Sequence, residues 1–407
     1  MKSVIIKART IANLQMKKAP KVILLIETSR EAGRGLLRGI AKYSRLHGPW
    51  MFYREPPVYI ECADRKRNLQ HLRNWKPDGV ITRDTESVEE ILSFGLPTII
   101  ASVTGREFPG VPNIIDCDTV GKIGAEYFLE RGFRNFAYCG FEGYTWSDKR
   151  AEGFISRIAQ AGFKTSLYRQ PMSRTKRKWE NEQVIVADWL KSLPKPVGLM
   201  TCGDTRSQHI IDACRLTGLH VPEEVAVLGV DNDELVCTLS DIPLSSIALG
   251  TEGAGYEAAE LLDRLMSGKF IPKGKTTKAQ IILQPTHVVT RQSTDILAIE
   301  DKEFSAAIRF IQQHARDNIQ ITDVADEVAM SYRTLYRRFR KALGRTVHDE
   351  INRIRIDQIT QLLLQTNLSI KQIALSLGYD VANINRSFRK LKGMSPLQFR
   401  RAFSPKV

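Results

Sequence analysis

Roughly the last hundred residues of the chain carry the same helix-turn-helix pattern twice, 49 positions apart. The segment DVADEVAMSYRTLYRRFRKALG, which begins at Asp323, aligns with QIALSLGYDVANINRSFRKLKG, which begins at Gln372. In each copy, apolar residues at helical spacing and a small alanine predict two short amphipathic helices that share a core. Ser331 and Asp380 stand where the N-cap of each second helix belongs. This pattern restricts the C-terminal part to a helical module with a repeated turn.

The excess of basic residues is local. Residues 301–407 hold 19 Lys or Arg and ten Asp or Glu, a net charge of +9. Residues 1–20 hold five basic residues and no acidic one, a net charge of +5. The whole chain has a net charge of +15, so the 280 residues between these segments carry only +1. An exposed basic helical module attracts a polyanion, and phosphate neutralisation provides most of the non-specific affinity for nucleic acid. A solvated helical bundle with ordinary surface lysine and arginine is the alternative. The two matching turns favour double-stranded DNA as the partner.

The region from about residue 304 to residue 403 resembles the DNA-binding domain of AraC/XylS-type transcription regulators. Besides the two motifs, the resemblance is carried by SIKQIALSLGY and then NRSFRKLKGMSPLQFR. Between the motifs, VHDEINRIRIDQITQLLLQTNLSI predicts a connecting helix, with an apolar stripe of Ile351, Ile354, Ile359, Leu362 and Leu363. From Gly378 to Phe388 the chain is one residue shorter than the family spacing. Whether the second motif engages DNA therefore stays open.

The same resemblance implies which side chains read bases. The recognition helix of the first motif is expected from about Tyr332 to Lys341, with one face formed by Arg333, Tyr336 and Arg337 at the family's base-reading positions. Counting back from Phe388, the groove-facing residues of the second motif are Asn383, Asn385 and Arg386, while Phe388 and Leu391 are expected to anchor the helix to the core. Arg338 and Lys341 are expected to face phosphates or solvent.

From Lys21 onwards, strand-like apolar runs alternate with helix-like stretches, from KVILLIET and GRGLLRGIAKYSRLHG to VAVLGVD and AGYEAAELLDRLMSG. Short continuous apolar strands followed by helices predict parallel sheets covered on both faces, the α/β class. Ligands of such sheets sit beyond the carboxyl ends of the strands. If two such lobes face each other, a common cleft is lined by residues 27–30, 141–150, 202–206 and 231–232.

The part from about Lys21 to Gln292 resembles the two-lobed, periplasmic-binding-protein-like sensor domain of LacI/GalR-type regulators. The resemblance is carried by GLMTCGDTRSQHIIDACRLTGLHVPEEVAVLGVDND, followed by PLSSI. In that family, an aspartate at the end of a G-x-D strand and an arginine before an "xxGF" helix bind sugar hydroxyls. The matching residues are Asp231 and Arg150, and we expect them to hold hydroxyls from the two sides of the cleft. The alternative for both is a structural turn or a hinge salt bridge.

Four more residues are candidates for the sugar site, with alternatives of their own. They are Arg30, Trp146, Asp204 and Asn232. Planar Arg, Asp and Asn groups pair the donors and acceptors of a buried polyol, while an aromatic face covers the apolar edge of its ring. Asp204 is equally well placed to cap the helix that begins near Thr205. Trp146, with Phe141 and Tyr144, offers a stacking surface, although single aromatics more often belong to the core.

A sensor of this type fused to two AraC-type motifs resembles the xylose-operon regulators, and the opening LLIETSREAGRGLLRGIAKYSRLHGPW fits that group. The predicted organisation is a basic, disordered N-terminal extension (1–20), a sugar sensor (21–290), a linker (291–301) and a DNA-binding domain (302–407). The resemblance implies a cytoplasmic homodimer that is not an enzyme. It implies activation of transcription, with a pentose, above all xylose, as effector and RNA polymerase as a further partner.

Other classes of protein receive little support. The six cysteines lie at 62, 117, 139, 202, 214 and 237 without metal-ligand spacing, the seven histidines are dispersed, and no apolar run has the length of a membrane span. No metal, cofactor or catalytic residue is therefore predicted. A nucleotide-dependent enzyme is the main alternative, based on Gly33, Gly35 and Gly39 after the first strand, but G-x-G-x-x-x-G departs from the dinucleotide fingerprint. A sensor that acts mainly through a protein partner is the other alternative.

Overall fold

The computed structural model describes residues 19–54, 69–84, 87–171, 173, 175, 179–269, 279–296, 302–314, 319–343 and 345–403. Almost all of the predicted N-terminal extension, and residues 297–301 of the predicted linker, lie outside the described residues. Within the described part of the chain, no helix combines the length and the apolar content needed to span a bilayer.

The first lobe is built on six strands that all pair in parallel. They are β1 (Lys21–Leu25), β2 (Met51–Arg54), β3 (Gly79–Arg83), β4 (Thr98–Ala101), β5 (Asn113–Asp116) and β11 (Gln280–Leu283). Their spatial order is β11, β5, β4, β3, β1, β2. Its helices are α1 (Glu31–His47), α2 (Gln70–Asn74), α3 (Val88–Leu92) and α9 (Thr251–Met266).

The second lobe has a sheet of the same size. Its strands are β6 (Asn135–Cys139), β7 (Thr165–Leu167), β8 (Val197–Thr201), β9 (Val225–Asp231), β10 (Ser245–Leu249) and β12 (Pro285–Val289). Their order is β12, β10, β9, β8, β6, β7, and only the β10–β12 pair is antiparallel. The helices are α4 (Thr119–Glu130), α5 (Thr145–Gln160), α6 (Trp179–Ser192), α7 (Asp204–Thr217) and α8 (Glu234–Leu239), and a 3-10 turn (Gln292–Thr294) follows β12.

Both faces of each sheet are covered by helices. In β1, Val22 and Leu24 pack with residues of α1 and α9, whereas Ile23 packs with residues of α2 and α3. In β9, Val225 packs with residues of α6 and α7, whereas Ala226 packs with residues of α4 and α5. Successive side chains of a strand point to opposite faces, so continuous apolar strands suit a sheet buried on both sides. The predicted α/β class with parallel sheets is confirmed.

The chain crosses between the lobes three times: after β5, after β10, and between β11 and β12. The second crossing begins at Gly250, whose N–H donates to the carbonyl of Gln284 on the third crossing (2.8 Å). Two neighbouring crossings are thus joined by a hydrogen bond, and the carboxyl ends of both sheets border the space between the lobes.

Two of the three glycines that suggested a nucleotide fingerprint, Gly35 and Gly39, serve helix packing. A Cβ on Gly35 would lie 1.9 Å from Oγ1 of Thr251, and one on Gly39 would lie 2.0 Å from the carbonyl oxygen of Glu252. Both contacts join α1 to α9. In the second lobe α4 and α5 meet in the same way, since a Cβ on Gly121 would lie 1.9 Å from the carbonyl oxygen of Arg150. Close approach of two helix backbones explains the glycine spacing without a phosphate ligand.

The C-terminal module is helical throughout its described residues. Its elements are α10 (Lys302–Gln313), α11 (Ile321–Glu327), α12 (Tyr332–Leu343), α13 (Val347–Gln365), α14 (Ile370–Ser376), α15 (Val381–Lys392) and α16 (Pro396–Phe403). Two separate cores divide it. The first holds Val324, Ala325, Leu335, Phe339 and Ile351; the second holds Ile359, Ile373, Ala374, Ile384 and Phe388. The connecting helix α13 contributes to both, so the predicted pair of motifs on one long helix is confirmed.

The repeat also governs how the helices begin. Capping boxes at Gln320 and Asp323 and, 49 residues later, at Ser369 and Gln372 start α11 and α14. The predicted caps of the second helices are present too: Ser331 Oγ accepts from the N–H of Thr334 (3.2 Å), and an Asp380 carboxylate oxygen accepts from the N–H of Asn383 (3.0 Å). Each cap satisfies an N–H group that would otherwise lack a partner at a helix start.

Candidate functional site

A cavity of about 420 Å³ lies between the two lobes, beyond the carboxyl ends of their strands. Its polar and aromatic lining includes Glu27, Arg30, Arg83, Ser102, Asp116, Phe141, Tyr144, Trp146, Arg150 and Asp231. A volume of this size suits a small polar molecule. Of the six predicted sugar-site residues, Arg30, Trp146, Arg150 and Asp231 line the cavity, whereas Asp204 and Asn232 do not.

Arg150 is the centre of a buried charge network. Its Nε and Nη2 donate to one carboxylate oxygen of Asp116, at 3.0 and 2.6 Å, and Nη2 also lies 3.3 Å from a carboxylate oxygen of Asp231. Its Nη1 donates to the carbonyl of Cys202. Burial by itself would lower the pKa of Arg150, but Asp116 and Asp231 outweigh burial and raise it. The guanidinium is therefore a permanent cation that presents fixed donors to the cavity wall.

The expectation that Arg150 and Asp231 approach from opposite sides of the cleft was wrong. Both belong to the second lobe, Arg150 on α5 and Asp231 at the end of β9, and they form an ion pair. Sequence reasoning also missed Asp116, the last residue of β5 at the first crossing. Its carboxylate is almost fully buried against Arg150. The only signal for Asp116 was its position at the end of an apolar strand.

The loop after β9 has an unusual backbone. Asp231 and Asn232 have φ values of 103° and 51°, and residues other than glycine rarely adopt such positive φ values. Asn232 is held by Arg291, whose Nη2 donates to its side-chain oxygen at 2.9 Å, and by Ser246, which accepts from its N–H. Non-glycine residues in this conformation persist only where neighbouring contacts fix them, and such residues cluster at functional sites.

Asp204 braces this loop from behind the cavity. One of its carboxylate oxygens accepts from the N–H of Asp233 (2.7 Å) and the other from the hydroxyl of Ser246 (2.5 Å). Burial, assisted by the charge of Asp231, raises the pKa of Asp204 to about 8. The alternative prediction of an N-cap was wrong, since α7 begins at Asp204 itself and Gly203 is the N-cap residue. The carboxyl group stabilises the loop that carries Asp231.

Aromatic rings from the loop after β6 and the first turn of α5 form a wall of the cavity. Trp146 lies beneath Arg150, with its ring centre 5.1 Å from the guanidinium carbon, and Tyr144 packs beside it at 5.7 Å between ring centres. Phe141 completes the wall. On the first lobe, Arg83 and Glu27 form an ion pair of 2.6 Å at the opposite rim. One lobe thus offers flat apolar surface and a buried cation, and the other offers charged groups of both signs.

The lobes are already joined across the cleft. Thr145 donates a hydrogen bond to the carbonyl of Thr104 (2.7 Å), and a carboxylate oxygen of Asp233 accepts from the N–H of Glu31 (2.9 Å). The same oxygen of Asp233 pairs with Arg34 at 2.7 Å. Each contact connects a residue near the rim of one lobe with the other lobe. Opening of the cleft must break all of them, so they stabilise the closed arrangement.

The predicted reading face of the first motif is exposed on α12. Arg333, Tyr336 and Arg337 are all exposed, and between them Leu335 is buried in the first core. Arg338 is half-buried and pairs with Glu303 of α10 at 2.9 Å, rather than pointing freely to solvent. The face that carries the three predicted side chains is therefore accessible to a partner as large as double-stranded DNA.

The second motif matches the first in backbone geometry. Four residues separate its two helices, as in the first motif, and Gly378 (φ 68°) occupies the repeat position of Ala329 (φ 49°). On α15, Asn383 and Arg386 are exposed, whereas Asn385 donates to the carbonyl of Val381. Phe388 anchors the helix as predicted, but Leu391 does not, because 45% of its surface is exposed.

The C-terminal module packs on the second lobe through buried charges. Glu130, the last residue of α4, pairs with Arg345 at 3.5 Å and with Arg353 at 3.1 Å. Both arginines also pair with Glu350, and they outweigh the effect of burial and lower the pKa of Glu350 to about 2. We call Glu130, Arg345, Glu350 and Arg353 the interdomain cluster. A cavity of about 820 Å³ lies beside the cluster.

A second contact reaches a crossing between the lobes. A Cβ on Gly250 would lie 3.1 Å from the ring of Phe403 in α16, so this ring covers the start of the second crossing. His287 of β12 is buried nearby in the lining of the interdomain cavity. Burial lowers the pKa of His287 to about 4, so the imidazole is neutral at pH 7. The helical module therefore touches both a lobe and a segment that connects the two lobes.

Comparison with known proteins gives a consistent result for both parts. Residues 125–294 match the family model of the periplasmic binding protein-like domain, and residues 324–402 match a helix-turn-helix domain. The xylose operon regulatory protein of Haemophilus influenzae is 30% identical over 391 residues, which cover 93% of this chain and 98% of that protein. The protein of the same name from Escherichia coli K12 is 29% identical over 94% of this chain and 97% of its own length.

Among solved structures, a xylose-binding transcription activator superposes on this chain with a TM-score of 0.59. It is 26% identical, and the match covers 96% of this chain and 100% of that one. The likeness therefore extends over the sensor and the helical module together, in the same order along the chain.

Proposed function

This chain belongs to the family of xylose operon regulatory proteins, and from that premise we propose that it is a xylose-responsive activator of pentose-utilisation genes. It is a sugar-responsive transcription regulator with a helix-turn-helix DNA-binding domain. Xylose as the effector, and activation as its effect, are carried over from the names of its relatives. The observation that supports a sugar site in this chain is the cavity between the lobes, with a buried cation and an aromatic wall.

We propose that the sugar lies against the second lobe, with its ring on Trp146. Arg150 and Asp231 then meet its hydroxyl groups with a donor and an acceptor, and Arg30 closes the rim of the cavity. Pairing of every buried hydroxyl gives selectivity, because an analogue that leaves a charged group unpaired binds less well. Asn232 and Asp204 support Asp231 through the loop backbone and make no sugar contact in this proposal.

We propose that DNA is read by Arg333, Tyr336 and Arg337 from the first motif. Asn383 and Arg386 do so from the second, with Asn385 directed along its own helix. Recognition helices that enter successive major grooves lie roughly 34 Å apart on one face of the DNA. The basic exposed face and the equal turn lengths of the two motifs support engagement of both.

The wider assignment follows from this role. We propose a homodimer that binds two half-sites and contacts RNA polymerase, located in the cytoplasm because bacterial DNA and the polymerase are there. In this proposal the protein has no catalytic task, and helix packing accounts for Gly35 and Gly39, two of the three glycines behind the enzyme alternative. We propose a DNA-binding domain at 302–407 and a sensor that extends past the predicted bound of 290, because Ser293 and Thr294 are buried on the second lobe.

We propose that the interdomain cluster couples the sugar site to the DNA-binding module. The cluster links α4 of the second lobe to α13, and Phe403 covers the crossing at Gly250. An effector changes DNA binding only if it favours one arrangement by a difference in binding free energy, typically about 1 to 3 kcal/mol. We expect Glu130→Gln to reduce the ratio of DNA affinities with and without xylose several-fold, as measured by fluorescence anisotropy, while leaving xylose affinity nearly unchanged. An unaltered ratio would exclude Glu130 from the coupling.

The proposed function is tested by a gel-shift assay on the DNA upstream of the protein's own gene and of neighbouring sugar genes. The full-length protein is titrated without sugar and with xylose, arabinose or ribose. We expect a specific complex whose affinity or position changes with xylose at a lower concentration than with the other pentoses. No response to any pentose, together with no heat of binding by calorimetry, would contradict a pentose effector.

A further inference from the structure

Behind the aromatic wall of the sugar cavity lies a fully buried arginine that the proposed sugar contacts do not use. Arg206 of α7 has no solvent-exposed surface. Its Nη2 pairs with Glu182 at 2.7 Å, and its Nε lies 3.2 Å from Sγ of Cys139. Its guanidinium carbon lies 5.0 Å from the ring centre of Phe141 and 5.2 Å from that of Tyr168. The cation is therefore placed against two aromatic rings, one of which lines the cavity.

Glu182 connects this arginine to the loop that carries the wall. Its carboxylate also accepts a hydrogen bond from the side-chain amide of Gln170 (3.1 Å). The side-chain oxygen of Gln170 accepts from the N–H of Glu142 (2.9 Å), and the N–H of Gln170 donates to the Glu142 carboxylate (3.2 Å). Glu142 directly follows Phe141, so a continuous polar chain runs from Arg206 to the backbone of the wall loop. The N–H of Phe141 is fixed in addition by Oγ of Ser147 (3.1 Å).

Stability alone does not explain this arrangement. A buried ion pair loses much of its Coulomb energy to desolvation, and an apolar pair of similar volume is often as stable or more so. In addition, Nη1 of Arg206 has no hydrogen-bond partner among the described residues, and an unpaired buried donor is unfavourable. What the pair provides, and an apolar filling does not, is a fixed cation against one particular ring face.

We propose that Arg206, held by Glu182, is a positioning residue for the sugar site and fixes the Phe141 ring in the orientation that covers the sugar. The inference rests on the proposed function, because it concerns the same cavity. Arg206 itself makes no sugar contact, as it lies outside the cavity lining. The wall ring is thus preorganised before sugar arrives, and the sugar does not have to order it on binding.

The test is a thermodynamic cycle between the buried pair and the ring. The pair is made neutral by the double substitution Arg206→Met and Glu182→Gln, which leaves no single buried charge behind. We expect the dissociation constant for xylose, measured by calorimetry, to rise roughly five- to thirty-fold. In a Phe141→Ala background the same double substitution should change it less than two-fold. An equal loss in both backgrounds would overturn a role that acts through Phe141.

A second variant guards against misfolding, and a sugar-free measurement separates this inference from the proposed function. Gln170→Ala breaks the polar chain at a partly exposed residue and should give a smaller loss in the same direction. Hydrogen exchange of the amides at 141–147 without any sugar should become faster in both variants, whereas unchanged exchange would overturn the inference even if no pentose binds. Arg134→Met removes a guanidinium that lies over Phe163 at 5.4 Å, before the amino end of β6. This control should leave xylose affinity and loop exchange as in the wild type.

Discussion

At the scale of single residues, the carboxylate of Asp231 carries the sharpest prediction. It lines the cavity, whereas the carboxyl group of Asp204 lies behind the same loop. We expect Asp231→Asn to weaken xylose binding by roughly 1.5 to 3 kcal/mol, one to two decades, because a charged acceptor for a buried hydroxyl is lost. Asparagine keeps the shape and tolerates the positive φ of this position. Calorimetric titration gives the affinity, and gel shift without sugar should show DNA binding as in the wild type.

The matched control for this substitution is Asp204→Asn. Burial and the charge of Asp231 raise the pKa of Asp204 and favour its neutral form, and the amide of asparagine is a neutral group of the same shape. Sugar affinity should therefore hardly change at pH 7. If Asp231→Asn lowered only the melting temperature and left xylose affinity unchanged, Asp231 would be a structural brace and not a ligand.

A second residue-scale prediction concerns base reading. Arg337 is exposed on α12, whereas the neighbouring Arg338 pairs with Glu303. We expect Arg337→Ala to lower affinity for the specific site by roughly 1 to 3 kcal/mol and to relax the preference at one base pair. Arg338→Ala should cost less specific affinity, since that guanidinium is engaged within the protein. The affinities are measured by anisotropy titrations on operator DNA and on random DNA. If Arg337→Ala lowered the affinity for both DNAs equally, base reading by Arg337 would be ruled out.

Individual contacts in the sensor show where sequence reasoning reaches its limit. Arg150 and Asp231 were found through a family motif, but their ion pair and its third member, Asp116, join residues far apart in the sequence. Only the folded sheet brings such groups together. Asp204 illustrates the opposite case. Its position at a helix start suggests a local role as an N-cap, but its carboxylate accepts a hydrogen bond from the N–H of Asp233 in a loop that is distant in the sequence.

At the scale of secondary-structure elements, the close pairing of α1 and α9 depends on glycine. We expect Gly39→Ala to destabilise the protein by about 1 to 3 kcal/mol, because the added Cβ would lie 2.0 Å from a backbone oxygen of α9 that cannot move alone. The gain in helix propensity, about 1 kcal/mol, does not offset such a clash. Urea denaturation measures the change, and Arg45→Ala at an exposed position of α1 serves as control. A more stable Gly39→Ala variant would show that the helices adjust freely.

Elements with a strong local signal were predicted well. The apolar strands, the repeated helices and the caps at Ser331 and Asp380 follow from neighbouring residues, which the sequence displays directly. The antiparallel direction of β12 and the docking of the helical module do not have such a signal. Leu391 was assigned to the core from its spacing on α15, yet 45% of its surface is exposed. Spacing places a residue on a helix face, and tertiary packing decides how far that face is covered.

At the scale of the whole molecule, we predict from His287, which is buried between the sensor and the helical module, how the stability of the protein depends on pH. Burial lowers its pKa from 6.5 to about 4, while the charge of Asp357 in the module raises this pKa and that of Lys392 lowers it. At pH values between these two pKa values, the imidazole binds a proton in the unfolded chain but not in the folded chain. The free energy of unfolding therefore falls as the pH falls from 6.5 towards 4. The full effect of this change of about 2.5 in pKa is about 3.5 kcal/mol, since one pKa unit corresponds to about 1.4 kcal/mol. It is absent above pH 6.5.

The measurement is urea denaturation at several pH values between 7 and 4.5, for wild type and for His287→Gln. Other groups titrate in the same range, among them Asp204 with the opposite sign, because its raised pKa makes the folded state less stable as pH rises. The difference between the two proteins isolates His287. We expect the wild type to lose more stability on acidification than the variant. Parallel curves would mean that the imidazole is reached by water in the folded protein.

The two cores of the helical module have a consequence for the history of such proteins. Apart from the shared helix α13, each motif is stabilised by its own apolar residues and its own caps. A mutation that alters one recognition helix therefore requires no compensating mutation in the other. In the proposed mode of DNA binding, selection can therefore change the groove segment that the second motif reads while the first motif keeps its own.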